Sequence, residues 1–189
     1  ILTGSVKHVP SGEEITSPRQ AMRLGLGYVS KDRDKEALVL AASIRDNIAS
    51  GGLDKIKTGP FILPKTEKNY VNAQVESLSI KCASIDQNVQ YLSGGNKQKV
   101  VFGKWIGRDG DILVLDCPTR GVDIGVKAAM YQLIEDMKAA GKTIIMISEE
   151  LAELIGMSDR LLILKDGALA GEFMRSPDLT DSQIIDCMI

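Results

Sequence analysis

Short apolar segments alternate with helical patterns in the last third of the chain, and this alternation limits the fold more than any other feature. The apolar segments are residues 112–116, 143–148 and 160–164. Their continuous apolar character is typical of strands buried in a parallel sheet. The intervening helices are predicted at residues 126–140, ended by Gly141, and at residues 149–155, begun by Ser148. Strands that alternate with helices in this way predict an α/β fold with a mostly parallel sheet.

The first part of the chain adds smaller elements. Residues 4–15 predict a β-hairpin around a Pro-Ser-Gly turn, residues 17–25 a short helix, and residues 26–30 a buried strand. The charged residues 31–36 are predicted to form a loop, and residues 43–106 follow a helical pattern. We therefore expect a helical subdomain inserted between strands. At the other end of the chain we predict a hairpin turn at Asp166-Gly167 and a short helix after Thr180.

The composition of the 189 residues is that of an ordinary globular domain, with 44% apolar residues, 25% charged residues and a net charge of −2. This charge balance gives no basic face, so nucleic acid is not an expected partner. The three cysteines lack metal-site spacing and are expected to be reduced thiols, as in the cytosol. His8 alone cannot form a metal site. No apolar run approaches the roughly 18 residues that cross a bilayer, so we expect any membrane role to be peripheral.

The strongest chemical signal is the sequence Leu-Ser-Gly-Gly-Asn-Lys-Gln-Lys at residues 92–99. A hydroxyl residue, Ser93, precedes Gly94 and Gly95 at the start of a predicted helix. The hydroxyl and the unpaired backbone N–H groups of the first turn then point the same way, and the helix dipole favours an anion there. An ordinary helix cap can have the same three residues. Taken alone, the segment leaves both interpretations open.

The strand at residues 112–116 ends in Asp116, which matches the Walker B form, where the aspartate holds Mg²⁺ beside a nucleotide. A helix separates this strand from residues 92–99, and the spacing is that of ATP-binding cassette (ABC) ATPases. The continuation at residues 118–123, Pro-Thr-Arg-Gly-Val-Asp, matches their D-loop, which packs against a partner domain. Together the three segments favour the nucleotide-related interpretation over the ordinary helix cap.

The chain resembles the second ATP-binding cassette of the duplicated ATPase subunits of bacterial monosaccharide importers. The segments that carry the resemblance are residues 28–33, 92–100, 116–125 and 147–164. The resemblance implies one partial, P-loop-NTPase-like domain. It has a β part and sensor loop at 1–42, a helical subdomain with the signature at 43–107, and Walker B, D-loop, switch and C-terminal strands at 108–189.

The resemblance also implies ATP and Mg²⁺ as cofactors. The implied partners are the first cassette of the same subunit and a membrane permease, and the implied location is the cytoplasmic face of the membrane. In this reading Asp116 would hold Mg²⁺ only if nucleotide is bound, and Asp123 belongs to the D-loop. The residues that would contact the ATP of the partner cassette are Ser93, Gly94, Gly95 and Asn96.

One departure from the family pattern is that no Walker A phosphate loop, Gly-x-x-x-x-Gly-Lys-[Ser/Thr], occurs in the 189 residues. Residues 141–143 imitate its end, but Asp136 stands at the first glycine position and Gly141 is predicted to end a helix. We expect the phosphate loop, its strand and its helix to lie in sequence that precedes this chain. We also expect weak or no ATP binding by this chain. The place of the absent strand should be open apolar surface, or should be covered by self-association.

Other departures fall on individual residues. Cys117 stands where active ABC ATPases have the glutamate that polarises water, and a thiol is mostly neutral near pH 7. Glu149 stands at the position of the switch-loop histidine, and Lys31 replaces the acidic residue or glutamine of the loop that senses the permease. We therefore expect this domain's own hydrolytic site to be inactive, so that by itself the chain is not expected to act as an enzyme.

Other functions remain to be weighed. A DNA-repair or ribosome-associated ABC protein would need basic patches or long coiled coils, which the sequence lacks. A non-catalytic binding or regulatory α/β domain would keep the motifs only as relics. A nucleoside-importing relative uses a similar cassette, so the resemblance indicates the family but leaves both a sugar and a nucleoside open as the imported solute.

Overall fold

The computed structural model describes residues 4–188 and divides the chain into two compact units, one ending at Ile145 and the other beginning at Met146. The first unit begins with the predicted hairpin. Its strands are β1 (Lys7–His8) and β2 (Glu13–Glu14), which pair antiparallel around a turn where Gly12 has a φ of 70°. Helix α1 (Pro18–Arg23) follows, and its N-terminal cap is Ser17, as the Ser-Pro start predicts.

A three-stranded sheet forms the centre of the first unit. Strand β3 (Leu26–Val29) pairs parallel with β6 (Ile112–Asp116), and β7 (Thr143–Ile147) lies on the other side of β6. The three strands confirm the prediction, but the complete burial expected for the last one is wrong. Ile145 and Ile147 are 52% and 51% exposed, because in the part of the chain that the structure describes β7 is an outer strand of this sheet.

The residues between β3 and β6 are mainly helical, as predicted. The elements are α2 (Ile44–Gly51), α3 (Leu53–Ile56), α4 (Pro64–Ser77) and α5 (Gly94–Ile106), with a short hairpin of β4 (Lys57–Thr58) and β5 (Phe61–Ile62). The hairpin was not predicted, and its turn contains Gly59, which has a φ of 60°. Fully buried side chains from three helices, Ile48, Val71 and Phe102, form the core here.

The prediction of a loop at residues 31–36 is wrong in part. Residues Arg33–Ala37 form one π-helical turn, and the Asp32 carboxylate accepts a hydrogen bond from the Lys35 backbone N–H at 3.2 Å. An aspartate in the capping position satisfies a donor of the first turn, which explains why so charged a segment is ordered. This π-turn begins four residues after the end of β3, and its Arg33 contacts the loop that follows β6.

Helix α6 (Ile124–Ala139) connects β6 to β7 and ends as expected at Gly141, whose φ is 83°. The Gly141 N–H donates to the Lys138 carbonyl at 2.9 Å, and the Lys142 N–H donates to the Met137 carbonyl at 3.0 Å. This pair of hydrogen bonds is the Schellman motif, which ends a helix on a left-handed residue. Gly141 therefore leads from a helix into a strand, the reverse of the order around a phosphate loop.

The second unit contains α7 (Leu151–Met157), β8 (Arg160–Lys165), β9 (Ala168–Met174) and α8 (Asp181–Met188). Strand β8 pairs antiparallel with β9 across the predicted Asp166-Gly167 turn, so the expectation of a parallel strand at 160–164 is wrong. Ser148 is not the cap of α7: that position is Glu150, whose N–H donates to the Ser148 hydroxyl at 3.0 Å. The core of this unit is built around Leu161, Ile163 and Ile184.

The start of α5 packs closely against α6 at Gly95, which is buried. A methyl group on Gly95 would lie 2.6 Å from Cγ2 of Val126, a side chain that is stiff at χ1. We expect Gly95→Ala to lower the free energy of unfolding by about 1–3 kcal/mol, because the helices must separate to admit the methyl group. Urea denaturation of the 189-residue chain measures this change.

The matched control is the double variant Gly95→Ala with Val126→Ala, which removes the clashing methyl groups. It should be more stable than expected from the sum of the two single changes, since the two positions are in contact. Strict additivity would show that the packing at Gly95 does not limit this helix pair.

Candidate functional site

The signature loop (residues 92–96) forms the start of α5, and Ser93 is the N-terminal cap of that helix. Its hydroxyl oxygen accepts a hydrogen bond from the Asn96 backbone N–H at 3.4 Å. Ser93 is exposed, whereas Leu92 and Gly95 on either side are buried. The helix N-terminus carries partial positive charge, so an exposed hydroxyl at this position can bind an anion together with the first-turn N–H groups.

The two glycines of the signature loop have close neighbours in different segments. Gly95 faces Val126 of α6, as described above. A methyl group on Gly94 would lie 3.0 Å from the Arg33 guanidinium and 3.5 Å from the Gly121 carbonyl oxygen. The glycines therefore let the start of α5 lie close to α6 and to the π-turn. The same lack of side chains would also let a ligand come close to the backbone.

The second functional segment, loop 117–123, connects β6 to α6. Cys117 is buried and has a φ of 46°, a left-handed conformation that is uncommon for a residue with a side chain. The Arg120 N–H donates to the Cys117 carbonyl at 3.1 Å and closes a turn. At the end of the loop, the Asp123 carboxylate caps α6 by accepting from the Val126 N–H at 3.0 Å. Asp123 thus positions a helix start, and its neighbour Ile124 is 86% exposed.

Side-chain donors to backbone carbonyls join the two segments. The buried Gln98 side chain of α5 donates to the Pro118 carbonyl at 2.8 Å. From the π-turn, Arg33 donates to the carbonyls of Arg120 at 2.9 Å and Gly121 at 3.4 Å. The signature loop and loop 117–123 are therefore held as one surface. Sequence reasoning missed both roles, although Gln98 and Arg33 each lie inside a segment that carries the resemblance.

The lysines that follow the signature loop are engaged with the protein. The Lys97 ammonium donates to the Asp34 carboxylate at 3.1 Å, and its side chain is only 13% exposed. The Lys99 ammonium donates to the Ser79 carbonyl at 3.1 Å. Attraction for an anion at this helix start therefore comes from the backbone N–H groups and the helix dipole rather than from these side chains.

Asp116 ends β6, as predicted, and its carboxylate accepts a hydrogen bond from the Tyr28 hydroxyl at 3.0 Å. Partial burial raises the pKa of Tyr28, and the Asp116 carboxylate raises it further, so the phenol stays protonated and remains a donor. In the sequence, Tyr28 stands out only as a member of residues 28–33, one of the segments that carry the resemblance. Its contact with Asp116 arises from the parallel register that sets β3 beside β6.

The described residues do not form a complete Mg²⁺–ATP site. Among residues 4–188 no group of three or more His, Cys, Asp or Glu side chains is arranged to hold a metal ion. Magnesium in P-loop ATPases also needs the phosphate-loop Ser/Thr hydroxyl, and the phosphates need that loop's N–H groups and lysine. This chain contains no such loop. Asp116 can supply one carboxylate to a metal ion, but residues 4–188 provide no group of further His, Cys, Asp or Glu ligands beside it.

The remaining predicted position lies in the second unit. Glu149 is exposed and directly precedes Glu150, the cap of α7. The Ser148 hydroxyl donates to the Glu153 carboxylate, which is buried, and accepts from the Glu150 N–H. Residues 148–153 are thus ordered by local hydrogen bonds. An ionised carboxylate accepts hydrogen bonds and does not donate them, so Glu149 differs in kind from a histidine at this position. In the first unit, Lys31 follows Ser30 beyond the end of β3 and is half-buried.

Within residues 4–188, no helix is both long enough and apolar enough to cross a membrane.

No family model matches the chain. Curated relatives do match it. It is 42% identical over 171 residues to the ribose import ATP-binding protein RbsA of Bacillus licheniformis, covering 90% of this chain and 34% of that protein. It is 41% identical over 170 residues to RbsA of Bacillus subtilis (90% and 34%) and 39% identical over 173 residues to RbsA of Streptococcus agalactiae (92% and 35%). The chain thus spans about a third of the length of these relatives.

Solved structures share the fold. The dimeric ATP-binding cassette MJ0796, in a post-hydrolysis state bound to ADP and Pi, matches with a TM-score of 0.77 at 17% identity, over 92% of this chain and 74% of that one. A second dimeric structure of the same bacterial ABC transporter cassette gives the same values. The chain therefore has the ABC ATPase fold and is a homologue, over about a third of their length, of the ribose import ATP-binding proteins.

Proposed function

We propose that this chain acts as a non-catalytic ATP-binding cassette half in a bacterial carbohydrate importer of the ribose type. Its signature loop completes an ATP site whose phosphate loop belongs to a partner cassette. The observation that carries the proposal is the exposed Ser93 at a helix start that Gln98 and Arg33 fix to loop 117–123. A helix start that favours an anion, held beside the exposed residues Arg120 and Gly121, is suited to close over a nucleotide bound by another domain.

The chain's own residues argue against hydrolysis at a site of its own. Cys117 has a buried thiol where a carboxylate would be needed to polarise water, and Glu149 has a carboxylate where a hydrogen-bond donor would be needed. These features support a chain that assists turnover in its partner instead of carrying it out.

The names of the relatives support a place for the chain in solute import. Proteins named for ribose import, and one named for ribose, galactose and methyl galactoside import, match it at about 40% identity. In this proposal the assembly also contains a membrane permease, and the chain lies on the cytoplasmic face of the membrane. Ribose is the first solute to test.

A chimera tests the proposal: this chain replaces the matching third of the Bacillus subtilis relative, in vesicles with that relative's permease. We expect ribose-stimulated ATP hydrolysis. The change Ser93→Arg should reduce it about a hundredfold or more, because a long cation at the helix start blocks the phosphate and removes a donor that is preorganised for it.

The matched variant is Cys117→Ala, which keeps a small buried side chain and should leave turnover within about twofold, because a thiol at this position contributes nothing to hydrolysis. A chimera without stimulated turnover, a Ser93→Arg variant with normal turnover, or a large loss from Cys117→Ala would each contradict the proposal. Thermal unfolding of both variants, compared with the unsubstituted chain, identifies any loss that comes from misfolding.

A further inference from the structure

The side chain of Asn96 connects the signature loop to the segment that precedes it. Its Oδ1 atom accepts a hydrogen bond from the Lys81 backbone N–H at 2.8 Å. An amide nitrogen cannot accept that hydrogen bond, so the contact fixes which end of the Asn96 amide faces Lys81. The Nδ2 group therefore faces Ser93, and it donates to the Ser93 hydroxyl oxygen at 3.0 Å.

The Ser93 hydroxyl receives two hydrogen bonds from the same residue. Besides the Nδ2 group, the Asn96 backbone N–H donates to it at 3.4 Å. A hydroxyl oxygen has two acceptor lone pairs and one hydrogen, so both lone pairs are occupied and only the hydrogen remains to be used. Ser93 is exposed, and among residues 4–188 nothing accepts that hydrogen. The hydroxyl is thus left with its hydrogen to donate.

We propose that Asn96 is a positioning residue that fixes the Ser93 hydroxyl as a hydrogen-bond donor to the phosphate of nucleotide bound by the partner cassette. The inference rests on the proposed function and adds a role for one residue to it. Phosphate oxygens only accept hydrogen bonds. A serine whose lone pairs are unoccupied can rotate and present a lone pair to them, whereas a serine held by Asn96 presents its hydrogen without rearrangement.

The position of Asn96 also separates this role from direct contact with the ligand. Its amide oxygen and one amide hydrogen are used within the protein, on Lys81 and Ser93. Asn96 is half-buried, while Ser93 is exposed. Asn96 therefore acts through Ser93, and the effect of removing it should depend on whether the serine hydroxyl is present.

A double-mutant cycle in the chimera tests this dependence. The variants are Asn96→Ala, Ser93→Ala and the pair together, and the measurement is kcat/KM for ATP in the presence of ribose. We expect Asn96→Ala to lower kcat/KM about threefold to tenfold, as the loss of one hydrogen bond does. In the Ser93→Ala background the same change should have almost no effect, because the hydroxyl that it orients is gone.

Asn69→Ala is the matched control, since Asn69 is exposed on α4 and far from the signature loop in sequence. It should leave kcat/KM unchanged. Thermal unfolding of each variant as the 189-residue chain measures the loss of the helix cap. A purely structural role would lower the midpoint of unfolding together with kcat/KM, whereas a positioning role lowers kcat/KM in a variant that stays folded at the assay temperature.

The outcomes separate the two proposals. If neither Ser93→Ala nor Ser93→Arg lowers turnover, the proposed function fails. If the serine variants lower turnover but Asn96→Ala has the same effect with and without the Ser93 hydroxyl, or no effect in either background, the positioning role fails and the proposed function stands. Loss of the Asn96 effect only when the hydroxyl is absent supports both.

Discussion

The hydrogen bond from Gln98 to the Pro118 carbonyl is the interaction on which the rest of the site depends. It joins the signature helix to the loop after β6 across 20 residues of sequence, and both partners are buried. A buried amide that lost this acceptor would leave an unsatisfied polar group in the interior, which costs about 1–3 kcal/mol. The hydrogen bond therefore holds α5 against loop 117–123, with the exposed Ser93 at the start of the same helix.

Arg33 extends this arrangement to the π-turn after β3. Its guanidinium contacts the loop carbonyls of Arg120 and Gly121 and would lie 3.0 Å from a methyl group at Gly94. Arginine suits this position because its planar group can donate to two acceptors at once. The resemblance implies that Lys31, two residues before Arg33, stands in the loop that senses the permease.

Local sequence patterns predicted the elements whose partners lie nearby. The cap of α1, the end of α6 at Gly141 and the turn at Asp166-Gly167 depend on a few adjacent residues, and all three are confirmed. The errors concern partners distant in sequence. Residues 160–164 read as a parallel strand because they are apolar, yet a short turn joins β8 to β9, and that connection favours an antiparallel pair.

The same difference between nearby and distant partners applies to the candidate site. Motif spacing singled out Ser93 and Asp116 as candidates. It could not reveal that Tyr28 donates to Asp116, because that contact depends on the register between β3 and β6. The roles of Gln98 and Arg33 depend on tertiary packing in the same way. Asn96 was expected to contact nucleotide, and the structure places its side chain on Ser93 and Lys81. Whether it acts through Ser93 stays a proposal.

The central claim is that this chain supplies half of an ATP site to another cassette. The most direct measurement is the rate of ATP hydrolysis by the isolated first cassette of the Bacillus subtilis relative as the 189-residue chain is added. We predict a saturable rise in rate, with no hydrolysis by the chain alone. A rate that stays at that of the first cassette at all concentrations, or ATP hydrolysis by the chain alone, would contradict the account.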